Sequence, residues 1–415
     1  MSEFELLGQA AKKASKKLAL LTTKQKIQVL EEMAESLLAH TQEVLLANQK
    51  DLLNAKDHGI NDVMIDRLRL TKERVADMAQ GLRQVAQLND PIGTIDKMWV
   101  TKENLRIGQQ RVPLGVVGMI YESRPNVTTD AASLCFKTGN AVILRGGKEA
   151  VHSNTSLVKI MQDVLVNNDL PIGAIALIQD TTRQSTHEMF KGNDFIDVLI
   201  PRGSERLINA VKENATVPII ETGTGNCHIY VHKDADLAMA KRIVTNAKTQ
   251  RPSVCNSLET LVIHQEVADK LLPDLEKELT KWDVELRADF DSGKFLNEYK
   301  TANEKDYATE FLDYILAIKT VDSLEEAIAH INQYSTKHSE AIITNDYAAS
   351  QKFLHEIDSA AVYVNASTRF TDGEMFGFGA EIGISTQKLH ARGPMGLEAL
   401  TSIKYVIYGE GQIRG

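Results

Sequence analysis

Apolar positions near the start of the chain recur at helical spacing. Ile27, Leu30, Met33, Leu37 and Leu38 line one face of a helix that Thr22 or Thr23 can cap. A further helical pattern runs to about Lys56, and His58-Gly59 stops it. Thr71 caps another helix that ends near Leu88, before the turn Asn89-Asp90-Pro91. Then the rhythm changes. Residues 112–121 (VPLGVVGMIY), 140–145 (NAVILR), 173–178 (GAIALI), 196–200 (IDVLI) and 217–220 (VPII) are short, apolar and rich in β-branched side chains. Helical patterns at 126–138, 150–168, 182–191 and 204–214 alternate with them. Continuous apolar strands separated by amphipathic helices predict a doubly wound parallel sheet covered on both faces. Such sheets bind ligands beyond the carboxyl ends of their strands.

A second α/β series follows. Residues 228–232, 258–264, 314–319, 340–344 and 360–364 read as strands, and 234–249, 265–280, 322–333 and 346–357 as helices. No Pro/Gly/Ser-rich linker separates the two series. Two segments fall outside the rhythm, 99–111 (WVTKENLRIGQQR) and 400–408 (LTSIKYVIY). Each is either a strand exposed for pairing with another subunit or part of a surface hairpin. The expected division is therefore 1–98 with 112–226, then 227–395, with 99–111 and 396–415 as bridging strands.

Composition narrows the class. The chain has 415 residues, 43% hydrophobic and 25% charged, and a formal net charge of -9. That balance gives no general attraction for nucleic acid or anionic lipid, so an anionic ligand needs a local basic cluster. Cys135, Cys227 and Cys255 are the three cysteines, too sparse and odd a set for a disulfide framework; a reducing, cytoplasmic setting is expected. No apolar run approaches the roughly 20 residues of a membrane span. The N-terminal lysines sit inside a helical pattern, so this segment reads as part of the fold and not as a signal peptide.

Five segments offer chemistry. Lys248-Thr249-Gln250-Arg251-Pro252-Ser253-Val254-Cys255-Asn256-Ser257 lies between a helix and a strand, and its Pro and Ser favour an irregular loop. Arg251 would favour a Cys255 thiolate if the loop folds back; a small buried apolar cysteine is the other reading. Cys135 and Cys227, on an apolar helix and at a strand start, read as structural. Tyr121-Glu122-Ser123-Arg124-Pro125-Asn126 joins a strand to a helix. Asn126 there either donates to a developing oxyanion or merely caps the helix. Arg145-Gly146-Gly147-Lys148 follows a strand; its glycines allow close backbone approach and its cations suit a nucleotide phosphate or ribose. It is neither a GxGxxG fingerprint nor a Walker A loop. Gly203-Ser204 opens another helix, and Glu221-Thr222-Gly223-Thr224-Gly225 supplies a tight turn or a pocket wall.

The stretches VPLGVVGMIYESRPNVTTDAASLCFKTGNAVILRGGKEA, RPSVCNSLETLVIH and VNASTRFTDGEMFGFGAEIGISTQKLHARGPMGLEAL resemble the aldehyde dehydrogenase superfamily, and within it the acyl-phosphate-reducing branch, over essentially the whole chain. The resemblance implies an aldehyde-dehydrogenase-like fold with an NADP-binding domain, a catalytic domain and oligomerisation strands. It places the nucleophile on Cys255 and the oxyanion-stabilising asparagine on Asn126. It places cofactor contacts on Arg145 to Lys148 and on Gly203-Ser204, and a ribose-binding carboxylate on Glu310. Glu221 and Gly223 are further candidates beside the cofactor, Glu221 being otherwise a structural carboxylate turned away from the site. The implied reaction is reduction of L-glutamyl 5-phosphate by NADPH, through a Cys255 thioester, to L-glutamate 5-semialdehyde, the second step of proline biosynthesis. Substrate carboxylate and phosphate would fall to Arg124, Arg251, Ser367, Thr368, Arg369 and Arg392, although a surface ion pair is the commoner fate of a lone arginine. No metal is expected. A homo-oligomer is implied, and a glutamate kinase is a conceivable partner. Two alternatives stay open: a hydrolytic enzyme of the same superfamily with Glu221 as general base, and an idle scaffold that shields a kinase's labile product.

Overall fold

A computed structural model describes residues 1–57 and 62–414, the side chains of 62 and 63 excepted. The expected helix stop at His58-Gly59 lies outside the described residues. The chain divides into two units, residues 1–222, 377–383 and 395–415, and residues 223–376 and 384–394.

The first unit begins with helices α1 (Glu3–Leu18), α2 (Thr23–Ala39), α3 (Thr41–Asp57), α4 (Asp62–Leu68) and α5 (Lys72–Gln87). Thr22 and Thr71 accept hydrogen bonds from backbone N–H groups of the first turns of α2 and α5, as the cap residues predicted. Next come β1 (Ile95–Val100), β2 (Arg106–Pro113), β3 (Val116–Tyr121), α6 (Asn126–Lys137), β4 (Ala141–Arg145) and α7 (Val151–Asn167). β5 (Ile175–Leu177), α8 (Arg183–Lys191), β6 (Val198–Arg202) and α9 (Glu205–Asn214) complete the alternation. The parallel sheet has the order β5-β4-β3-β6. The chain thus winds outward from β3 and returns to its other side, which puts a topological switch point where β3 and β6 end.

Two strand expectations change. The run 112–121 is not one strand: Gly115, at φ +127°, breaks it, and Pro113 closes β2 while Val116 opens β3. Residues 217–220 form no strand. Pro218 lacks an N–H, and the segment makes a single bridge, Ile219 with Leu199.

The second unit contains β7 (Cys227–Val231), α10 (Leu237–Thr249), β8 (Leu258–His264), α11 (Gln265–Thr280), β9 (Glu285–Ala288), α12 (Phe290–Gly293), β10 (Lys300–Thr301) and α13 (Glu304–Tyr307). It continues with β11 (Ile315–Val321), α14 (Leu324–Tyr334), β12 (Ser339–Ile343), α15 (Tyr347–Glu356), β13 (Ala361–Val364), β14 (Ile384–Ser385) and β15 (Gly393–Pro394). Its parallel sheet has seven strands in the order β10-β9-β11-β8-β7-β12-β13. Successive residues of β7 point to opposite faces. Ile229 and Val231 join Val244, Leu271 and Leu275 of α10 and α11, whereas Tyr230 joins Ile328, Ile331 and Phe353 of α14 and α15. Both faces are therefore covered, which is why the strands read as continuous apolar runs.

The last strand, β16 (Thr401–Tyr408), belongs to the first unit. It pairs antiparallel with β2, whose other side holds β1. Segments 99–111 and 400–408 are thus parts of one three-stranded antiparallel sheet with β1 and β16 at its edges.

Candidate active site

Cys255 stands on irregular backbone between α10 and β8, at the amino end of β8. This reverses the usual placement of a site beyond strand carboxyl ends. Cys255 is partly exposed, while Cys135 and Cys227 are buried, and all three are thiols. Burial alone raises the Cys135 thiol far above its ordinary range.

The Cys255 loop is held from three directions. At its base, Lys248 Nζ donates to the Leu258 carbonyl at 2.9 Å and to Glu259 Oε2 at 2.7 Å, and both side chains are fully buried. Glu259 also accepts from the Leu312 N–H. Burial lifts the Glu259 carboxyl to about 7 and lowers the Lys248 ammonium, while each opposes the other's shift. On a second side, Thr368 Oγ1 donates to the Asn256 carbonyl at 2.8 Å, and Asn256 Nδ2 donates to the Thr371 carbonyl at 2.9 Å. On the third, Gly225 lies so close that an added Cβ would stand 1.5 Å from the Cys255 carbonyl oxygen. The Gly225 N–H donates to Glu310 Oε1 at 2.7 Å, so the carboxylate assigned to a ribose also orders this backbone.

Arg369 Nε donates to Gln250 Oε1 at 3.0 Å. Burial pulls the Arg369 guanidinium down, against the pull of the nearby Cys255 charge, and Arg251 is close enough to repel it. Thr368, Ser367 and Arg392 have partners within the protein. Thr368 is completely buried and bound to the loop, and Ser367 accepts from the Arg369 N–H. Arg392 pairs with Asp358 at 2.8 Å, the surface ion pair anticipated for a lone arginine. Arg124 is half-buried. Gly223 donates to the Ile384 carbonyl and packs against Thr386, so its glycine serves a close approach within the second unit.

In the first unit the candidates gather where β3, β4 and β6 end. Asn126 is the first residue of α6 and is exposed; the cap position itself is Pro125, which makes no side-chain capping bond. Its Nδ2 donates to Asp130 Oδ2 at 3.0 Å. Burial raises the Asp130 carboxyl to about 6, opposed by that hydrogen bond and by Arg202. Arg145 donates to the carbonyls of Gly146, Thr181 and Thr182, so its charge braces two loops. Lys148 is exposed at the same turn. Gly146 and Gly147 leave no room for a Cβ because Asn154 and Glu149 crowd them. At the start of α9, the Ser204 N–H and hydroxyl donate to the Glu122 carboxylate at 2.8 and 3.2 Å. These donors already hold one anionic group, which is what a cofactor phosphate would ask of them. Glu221 pairs with Lys212 of α9 at 3.0 Å.

The sequence marked Gly225 only as part of a turn or pocket wall, and it did not point to the Lys248–Glu259 pair or to the contacts of Cys227. Glycine next to Asn226 marked a turn, but only tertiary approach shows what it touches.

The chain matches the aldehyde dehydrogenase family over residues 2–313 and 301–406. It is similar to the gamma-glutamyl phosphate reductase of Enterococcus faecalis, 61% identical over 100% of this chain and 99% of that one. It is 58% identical to that of Listeria monocytogenes, with full coverage of both. Among solved structures, the gamma-glutamyl phosphate reductase of Thermotoga maritima matches with TM-score 0.97 and 44% identity, covering 100% of each chain.

Proposed function

Since the chain belongs to the aldehyde dehydrogenase family, and is an oxidoreductase of it, we propose that it reduces L-glutamyl 5-phosphate to L-glutamate 5-semialdehyde and phosphate. The observation that carries this reading is Cys255: a partly exposed thiol on a loop fixed from three sides, in a chain similar over its full length to such reductases.

The Cys255 thiolate attacks the acyl carbon, the bond to phosphate oxygen breaks, and phosphate departs, leaving a thioester. Bound NADPH supplies the hydride. The Asn126 amide and the Cys255 N–H stabilise the oxyanion of each tetrahedral species, and Asp130 holds the Asn126 amide in place. Collapse of the thiohemiacetal returns the thiolate and frees the aldehyde. Arg369, Arg251 and Arg124 are the cations proposed for substrate phosphate and carboxylate.

The test runs in the oxidative direction. NADPH formation from glutamate 5-semialdehyde and phosphate should be lost in Cys255→Ala, and undiminished turnover would remove Cys255 from its role. Arg145 to Lys148 and Gly203-Ser204 are the proposed cofactor contacts, with Lys148 for a 2′-phosphate. Equal kcat/KM for NADPH and NADH would defeat that preference. The hydrolytic alternative needs a Glu221 able to activate water, whereas Glu221 is engaged by the Lys212 ammonium. Aldehyde oxidation that proceeds without phosphate or arsenate would restore that alternative. We also propose that β1 and β16 join copies of this chain into a homo-oligomer.

A further inference from the structure

We propose that Cys227 is a positioning residue for this reaction, its thiol holding the Cys255 carbonyl so that the reacting sulfur keeps its direction. The inference rests on the reading of Cys255 as nucleophile.

Cys227 is the first residue of β7 and is completely buried. Its Sγ donates to the Cys255 carbonyl oxygen at 3.2 Å. The same sulfur lies 3.8 Å from His338 Nδ1. The Cys255 loop runs outside the strand ladder, so its carbonyls need donors from elsewhere. Two consecutive carbonyls receive side-chain donors, Cys255 from Cys227 and Asn256 from Thr368. The oxygen of residue 255 reports its ψ angle. Holding that oxygen, against the wall made by Gly225, therefore sets the frame from which the Cys255 Cβ and Sγ project. Small errors in such a frame are costly to a reaction that needs close alignment. Burial, reinforced by Glu340 and by Cys255 itself, raises the Cys227 thiol well above its ordinary value. The donor thus stays protonated.

A thiol is a weak donor, and a buried cysteine also serves as a small apolar filler. The two roles separate in variants. Cys227→Val keeps apolar volume and loses the donor; Cys227→Ser keeps a donor and loses apolar character. A packing role ranks valine above serine, and a donor role ranks serine above valine.

The experiment measures kcat, KM for NADP and for glutamate 5-semialdehyde, and the iodoacetamide alkylation rate of the Cys255 peptide across pH, in both variants. Circular dichroism checks their folding. Cys227→Val is expected to lower kcat about fivefold or more and to slow Cys255 alkylation, with KM for NADP unchanged. Cys227→Ser is expected to stay within about twofold of the parent. Valine equal to the parent, or serine as impaired as valine, overturns the proposal. If valine does not fold, Cys227→Ala takes its place as the variant without a donor. Cys255→Ala is the reference: turnover in it would defeat the nucleophile reading itself, whereas its inactivity beside an unimpaired valine variant would defeat only the role of Cys227.

Discussion

At the scale of single residues, the site depends on contacts that leave little freedom. An added Cβ at Gly225 would stand 1.5 Å from a backbone oxygen, and no rotamer change relieves a clash with backbone. Gly225→Ala is therefore expected to displace the Cys255 loop and lower kcat by roughly a hundredfold, read by steady-state assay beside a thermal melt. Asp130 gives a prediction of a different kind. Burial holds its carboxyl at about 6, above its unfolded value, so ionisation of this group disfavours the native state. Its penalty is complete above about pH 6 and is lifted as pH falls towards the ordinary carboxylate range, so this term adds stability on mild acidification. Asp130→Asn should remove that term, and melts at pH 7 and pH 5 should show the variant gaining less from acidification than the parent. Cys255 and Asn126 stood out as candidates because their neighbours resemble a family. Cys227 was not: a lone cysteine before β-branched residues reads as filler, and the carbonyl that it serves lies 28 positions away.

At the scale of elements, the alternation of apolar runs and amphipathic patterns made most strands and helices legible, because both sheets are covered on both faces. One kind of miss arises because apolar character does not mark where pairing changes. In VPLGVVGMIY the apolar run continues through Gly115, where an added Cβ would stand 2.2 Å from Asp197 Oδ2 and the chain passes from one sheet to another. β9 and β10 went unseen because they are short and rich in polar residues, β10 at the edge of the seven-stranded sheet and β9 next to it. The Lys248–Glu259 pair links two elements that the pattern did find, the end of α10 and the start of β8. Lys248→Met would strand Glu259 in a dry setting and should cost about 3–5 kcal/mol in denaturant unfolding. Replacing both, with Lys248→Met and Glu259→Leu, should recover most of that loss. A double variant as unstable as the single one would show that the pair stabilises the loop through more than mutual neutralisation.

At the scale of the whole molecule, the three-stranded sheet is incomplete by the ordinary logic of strands. Every residue of β1 is exposed, on both faces, and these residues include Met98, Trp99 and Val100. β16 adds exposed Ile403, Tyr405, Ile407 and Tyr408, and Trp99 meets Tyr405 edge to face at 6.2 Å. A strand normally buries one face, and an apolar patch with unpaired edges invites another chain. The sequence marked both segments as outside the α/β rhythm but left a surface hairpin equally open, because alternation on one strand cannot reveal what covers the other face. If copies of this chain pair here, Trp99→Glu with Tyr405→Glu places like charges in the shared sheet and should lower the native mass measured by light scattering. The Cys255 loop belongs to the other unit, so thiol alkylation should proceed at the parental rate in the dissociated variant. A parent chain that is already monomeric at assay concentration would refute the pairing and leave the exposed sheet without a partner of its own kind.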